Sequence, residues 1–468
     1  MRKTKIISTL GPVSDSPEKL KELIEAGVDV FRLNMSHADQ EWVRNVVKKI
    51  RQISSDLNKV VGILLDTQGP AVRTGTLKTP FELKIGDILE FTVRGATSNE
   101  PYSVDVNYDG FFDDVSVGNI VLVDNGVLHM EVLSKYDNKV RCKVLTRGKM
   151  GSRRHINLPG VRVNLPPLTE KDLGDIAAGV EMGVDFVALS FCREANDVRM
   201  LRDVLNKHKS SAHIIAKIED QHAVQVLDEI IWEADAIMIA RGDLGIECPI
   251  EELPIIQRLA ITRCLQVGRP VIVATHMLES MIENPVPTRA EITDIANAVF
   301  EQADAIMLSG ETTIGKYPVD CVRIFDRVAR RIEQSPEIPP YSDKAIIVDV
   351  RQKTVKAAVV LAASLPGSKL MVFTRRGIMA DYVSHLRLSR APVFAFSPAE
   401  TIVHRLSLNW NIFPIQMEFA SELDDTLARA EAIMKERGFI QTGDQLVVIG
   451  DLVTEHELFR SIQLRIAL

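Results

Sequence analysis

Three ionisable residues fall at the ends of apolar runs in one short stretch of chain: Lys217 and Glu219 in IIAKIED, and Asp243 in ARGDLGIE. Ile214 to Glu219 reads as a short buried strand. Strand side chains alternate faces, so Lys217 and Glu219 point the same way. The next apolar run, Ala236 to Ala240, delivers Arg241-Gly242-Asp243 at its end. Two carboxylates arriving beside a lysine suit a hard divalent cation that itself holds phosphate oxygens. The plain alternative is a satisfied buried Lys–Glu ion pair, and the surrounding elements bear on the choice.

Eight apolar, β-branched runs, mostly separated by helical patterns, lead to such ends: KTKIISTL, VDVFRLNM, VVGILLDT, VDFVALSF, HIIAKIE, DAIMIARG, PVIVATHM and DAIMLSG. The first helix is marked by Ser16 as N-cap, Pro17 in the first turn and Gly27 as the stop. Strands alternating with helices pair in parallel through right-handed crossovers. Eight such units predict a closed (β/α)₈ TIM barrel. A weak internal echo, ADAIM at Ala234 and again at Ala303, supports it. The alternation breaks after the third strand. From about Ala71 to Leu165 the pattern is strand and turn (FELKIGDILEFTV, NIVLVDNGVLHMEV, KVRCKVLTRG), with turns at Gly86-Asp87 and Asn125-Gly126. This predicts an all-β lid over residues 71–165, inserted where barrel loops face the active site. The barrel itself takes 1–70 and 166–338. Pro336, Pro339 and Pro340 read as a linker, and KLMVFTRRG, APVFAFSP, IFPIQME and DQLVVIGD predict an open α/β domain over 339–468.

Chemistry in such barrels lies at the carboxyl ends of the strands. Those ends carry Arg32, Asn34 and Ser36, on one face by period two, then Asp66 and Thr67. They continue with Lys217 and Glu219, Arg241 to Asp243, Thr275 and His276, and Ser309 and Glu311. Barrel interiors favour branched apolar residues, so a polar set of this density is not a packing pattern. Arg32, Arg73 and Lys217 supply fixed cations, while Glu219 and Asp243 would hold a hard metal through oxygen. That inventory fits phosphoryl transfer. A P-loop, GxxxxGK[ST], is absent, as is GxGxxG.

The bulk numbers exclude other classes. A chain of 468 residues with 46% hydrophobic and 25% charged residues is ordinary for a globular protein of two to four domains. A net charge of −7 without like-charge blocks argues against a nucleic-acid or anionic-membrane partner. The five cysteines are widely spaced with no CxxC pair, so a reducing cytoplasm is the expected home. No signal peptide or membrane span is expected from the sequence.

The motifs together resemble the pyruvate kinase family over nearly the whole chain: KTKIISTLGP, FRLNMSH, DTQGPAVRTG, INLPGVRVNLPPLTEKD, FVALSF, IIAKIED, IARGDLGIE, VATHMLESM, PTRAEITDIANAV and LSGETTIGKYP, in order. The resemblance implies phosphoryl transfer from phosphoenolpyruvate to ADP, giving pyruvate and ATP, the last step of glycolysis. It implies that Arg32 and Lys217 grip the transferring phosphate, with Lys217 stabilising its developing charge, and that Glu219 and Asp243 bind Mg²⁺ or Mn²⁺. Amides near Gly242 and Asp243, with the Thr275 hydroxyl, would hold the substrate carboxylate. His37, Arg73 and Arg154, with Asn34, would meet nucleotide phosphates. Asn34, Ser36, Asp66 and Thr67 match a K⁺ site. A hydroxyl and water relay near Thr275 and Ser309 would protonate the enolate. A cytoplasmic homotetramer is the family's form. Rival readings are another Mg²⁺-dependent phosphoenolpyruvate or pyruvate barrel, such as an aldolase or mutase, and a weakly active binding paralogue. The lid and its nucleotide-facing cations count against the first, and the intact ligand set against the second.

The chain departs from the family's pattern in four places. Gln68 and Ala71 stand where the family often has lysine and glutamate (DTKGPE); that glutamate goes with K⁺ dependence, and a lysine there with independence. His276 replaces a glutamine, and Arg154 a lysine before NLPG. The segment Thr374-Arg375-Arg376-Gly377-Ile378-Met379 lacks the hydroxyls of the fructose-1,6-bisphosphate loop, and GDLVTEHELFR replaces a late glycine-rich loop. A sugar-bisphosphate effector is therefore not expected. K⁺ stimulation is expected, on the ground that Asp66 would otherwise face phosphate oxygens uncompensated.

Overall fold

A computed structural model describes residues 1–336, 344–453 and 458–467. Eight parallel strands close into a barrel: β1 (Lys5–Thr9), β2 (Val30–Asn34), β3 (Gly62–Asp66), β4 (Phe186–Leu189), β5 (His213–Ile218), β6 (Ala236–Ala240), β7 (Val271–Ala274) and β8 (Ala305–Leu308), with β8 paired to β1. The first helix, Pro17–Ala26, begins and stops where its residue types require. The Ser16 hydroxyl accepts the Lys19 amide at 3.3 Å, and Gly27 at φ 114° turns the chain out of the helix.

Inside the barrel, Ile7, Val30, Leu64, Ala188, Ile215, Met238, Ile272, Ala274 and Met307 fill one dry cluster. The layer above it, toward the carboxyl ends, turns polar: Thr9, Arg32, Asp66 and Lys217. Packing below and chemistry above follow from period-two alternation at one common register. Between β3 and the helix Glu170–Glu181 lie a six-stranded and a two-stranded sheet, with their own core around Phe91, Phe111, Leu128 and Met130.

The C-terminal sheet has five strands in the order Ile412–Gln416, Val393–Ser397, Lys369–Phe373, Gln445–Val453, Leu458–Ile466. Four are parallel, and the last is an antiparallel edge that the sequence reading does not include. Pro339, Pro340 and part of GDLVTEHELFR lie outside the described residues. This domain seals the amino end of the barrel. Leu408 enters the barrel's inner cluster, and Lys5 donates to the Ile412 carbonyl at 2.6 Å. Arg387 forks onto Asp304 at 2.5 and 2.8 Å, both side chains at most 3% exposed.

Breaking a buried pair strands a charge. Arg387→Met should therefore cost about 3–5 kcal/mol, seen as a fall in the urea midpoint. An unchanged midpoint would show that the backbone amides of Val271 and Trp410 satisfy Asp304 without it.

Candidate active site

Arg32, Asp66, Lys217 and Glu219 form one continuous network at the carboxyl mouth of the barrel. Pairing in register sets it up, with Thr9 beside Arg32 on β1 and β2, and Asn34 beside Asp66 on β2 and β3. Arg32 donates to Asp66 Oδ2 at 2.6 Å and to the Thr9 hydroxyl at 3.1 Å. Lys217 Nζ lies 2.9 Å from Glu219 Oε1 and 3.3 Å from Asp66 Oδ1. It also donates to Ser190 Oγ at 2.8 Å. The four charged side chains are at most 10% exposed.

Burial alone would raise the Asp66 carboxyl, but the Lys217 ammonium and the Arg32 guanidinium outweigh it and hold it below its usual range. The same carboxylates, outweighing burial, hold the Lys217 proton more tightly than usual. Glu219 goes the other way: burial, with the Asp243 carboxylate nearby, pushes it up against the pull of Lys217. Its second oxygen, Oε2, accepts the Phe191 amide at 2.6 Å. Phe191 makes that contact from φ 53°, the left-handed region a bulky side chain rarely occupies.

Asp243 lies within the helix Arg241–Glu247, which starts directly after β6. Glu219 and Asp243 thus offer oxygen donors beside fixed cations. The reading of this pair as metal ligands fits: a carboxylate raised by burial and by another carboxylate is relieved by a cation. Among the described residues no group of three or more His, Cys, Asp or Glu is placed to hold a metal. Two carboxylates would leave the remaining coordination to water and substrate, as Mg²⁺ prefers.

Other predicted residues are placed differently. Arg241 forks onto Asp294 at 2.7 and 2.8 Å and donates to the Thr275 carbonyl at 2.6 Å, tying the start of the helix to the end of β7. The Thr275 hydroxyl accepts the Gly242 amide at 2.7 Å and donates to its neighbour's carbonyl, Ala274 O, at 2.6 Å. The amide and hydroxyl assigned to the substrate carboxylate thus hold each other, from a strand end where Thr275 and His276 both have positive φ. His276 is exposed. The Ser309 hydroxyl is buried with no hydrogen-bond partner among the described residues, while its amide donates to Glu311 Oε2 at 2.7 Å. A second Glu311 oxygen accepts the Leu278 amide at 3.0 Å.

Two sequence expectations need correction. Ser36 does not share a strand face with Arg32 and Asn34: β2 ends at Asn34 and Ser36 sits in an exposed turn, where its amide donates to Asn34 Oδ1 at 3.2 Å. Asp66 is not uncompensated, because Arg32, Lys217 and the Ser190 hydroxyl (3.2 Å) surround it. Within the lid Arg154 pairs with Asp124 at 3.1 Å. Of the other nucleotide-facing residues, His37 is exposed and Arg73 donates to the Arg153 carbonyl at 3.3 Å.

Two further supports hold the site. The Thr67 hydroxyl donates to the Ala188 carbonyl at 3.0 Å and accepts the Ser190 amide at 3.1 Å. Asp172 Oδ1 accepts the Gln68 and Gly69 amides at 2.9 and 3.2 Å, holding the DTQG turn. In the C-terminal domain, Arg375 and Arg376 line a cavity of about 370 Å³ together with Arg351 and Phe419.

The comparisons agree with this geometry. Residues 1–322 match the family model described as pyruvate kinase, barrel domain, and residues 352–457 match the pyruvate kinase alpha/beta domain. Plastidial pyruvate kinase 3, chloroplastic, of Arabidopsis thaliana is 42% identical over 451 residues, covering 96% of this chain and 78% of its own. Pyruvate kinase of Bacillus licheniformis is 40% identical over 462 residues, covering 97% and 79%. The crystal structure of a pyruvate kinase from Cryptosporidium parvum superposes with a TM-score of 0.94 at 34% identity, over 100% of this chain and 96% of that one. The barrel, the inserted β sheets, the C-terminal α/β domain and the matched sequence together make this chain a member of the pyruvate kinase family, a kinase among the phosphotransferases.

Proposed function

We propose that the protein transfers the phosphoryl group of phosphoenolpyruvate to ADP, forming ATP and pyruvate in the last step of glycolysis. The Arg32–Asp66–Lys217–Glu219 network at the barrel mouth carries this reading. The bond from phosphorus to the enol oxygen breaks, and a terminal phosphate oxygen of ADP forms the new one. Charge on the transferring group is met by the Arg32 guanidinium and the Lys217 ammonium, both fixed in place before substrate arrives. Mg²⁺ or Mn²⁺ held by Glu219 and Asp243 would neutralise phosphate and enolate oxygens. The Gly242 amide and the Thr275 hydroxyl would exchange their mutual hydrogen bond for the substrate carboxylate. A water-linked relay through Thr275 and the Ser309 hydroxyl, which has no partner among the described residues, would hand a proton to the enolate carbon. Asn34, His37, Arg73 and Arg154 would meet the nucleotide, Arg154 by giving up Asp124 for a phosphate.

Phosphorus NMR tests the bond change. The phosphoenolpyruvate signal should be replaced by the γ-phosphate of ATP, whereas release as inorganic phosphate would contradict the reading.

K⁺ is proposed at Asn34, Ser36, Asp66 and Thr67, a set of hard oxygens. With Asp66 already compensated, support comes from that donor set and from Ala71, which puts no rival ammonium there. Activity should rise with K⁺, and Ala71→Lys should reduce the stimulation. Equal rates in K⁺ and in a large organic cation would refute it. The five free cysteines suit a reducing cytoplasm, and a homotetramer follows the family's form.

A further inference from the structure

Ser190, in the run FVALSF, lies one residue beyond β4 and is 2% exposed. In the barrel register Ala188 pairs with Ile215, so two residues on Ser190 comes level with Lys217. The ammonium of Lys217 has three hydrogens to place. Its three neighbours are Glu219 Oε1 at 2.9 Å, Asp66 Oδ1 at 3.3 Å and Ser190 Oγ at 2.8 Å.

The two carboxylates have other claims on them. Asp66 is shared with Arg32 through two donors. Glu219, on the reading above, turns its oxygens toward a cation when the site is loaded. Ser190 is the neutral neighbour, and its lone pair is claimed by no other cation in the network. The hydroxyl is itself held in place. It donates to the Thr67 carbonyl at 2.7 Å, the nearer of its two acceptors, and the Ser190 amide is fixed on Thr67 Oγ1 at 3.1 Å. The DTQG turn closes over it: Gly69 has φ 71°, and a Cβ there would lie 2.9 Å from Ser190 Cβ, so only glycine brings the turn this close.

We propose that Ser190 is a positioning residue for phosphoryl transfer: its hydroxyl, anchored on the Thr67 carbonyl, aims the Lys217 ammonium at the transferring group. The proposal rests on Lys217 acting in that step. It goes beyond it in assigning the orientation of the ammonium to the end of β4.

A double-mutant cycle tests it on the full chain. Ser190→Ala and Ser190→Cys, the second keeping the volume but offering only a weak acceptor, should each lower kcat by about 10–100-fold, the scale of one hydrogen bond to a charged group. KM for phosphoenolpyruvate should move by less than about threefold, because the bond matters most as charge is redistributed. In a Lys217→Met background the same substitutions should cost less than about twofold, since the group they aim is gone. An equal loss in both backgrounds would overturn the proposal. So would a loss in the Ala variant that the Cys variant does not share, which would mark a packing effect. Were Lys217→Met itself to leave kcat unchanged, the reading of Lys217 would fall and this proposal with it, a result distinguishable from the other two.

Discussion

Lys217→Met is expected to lower kcat for phosphoryl transfer by roughly 10²–10³ or more, the scale of losing one preorganised donor to developing charge. KM for phosphoenolpyruvate should change much less, because the ammonium's advantage is greatest in the transition state. The environment of Lys217 supports the size of the effect. Its charge is largely buried, tightly protonated and directed by Asp66, Glu219 and Ser190, which limits competition from solvent. Methionine fills most of the volume, and Arg32 still neutralises Asp66, so the fold should survive. Steady-state kinetics beside a thermal melt checks this. A large rise in KM with kcat intact would make Lys217 a ground-state binding residue.

The second large effect concerns the metal. Glu219→Gln should reduce activity by more than about 100-fold, beyond the 10–100-fold typical of removing a group that merely supports a metal ligand. It should also abolish the dependence of Mn²⁺ binding on phosphoenolpyruvate. Titration calorimetry on the wild-type chain should find weak binding of Mn²⁺ alone and stronger binding with substrate, as expected where protein supplies few ligands. Tight substrate-independent binding, or full activity in the variant, would remove Glu219 from the metal site.

Much of this site was legible because barrel strands impose a simple rule. Once eight apolar runs are aligned, the residue leaving each run faces the mouth, and Arg32, Asp66, Lys217 and Glu219 all meet in one network. The same rule would have found Ser190, two residues past the inward-facing Ala188 of β4. A lone serine simply carries less signal than a charge. Period two failed at Ser36, since the strand stops at Asn34 and a turn has no fixed face.

The surroundings of Asp66 were not legible. Its partners come from β2, β5 and the end of β4, and contacts across a barrel depend on side-chain reach that spacing along the chain does not encode. For the same reason the pairing of Arg241 with Asp294, 53 residues away, cannot be read from spacing. The antiparallel strand Leu458–Ile466 alternates polar and apolar residues in SIQLRI, a signal overshadowed by the α/β alternation before it.

The most direct test of the central claim is an omission assay for pyruvate with the purified chain. Pyruvate should form from phosphoenolpyruvate only when ADP and a divalent cation are both present, with one ATP appearing for each pyruvate. Pyruvate released at the same rate without ADP, or none formed with every component present, would contradict the account.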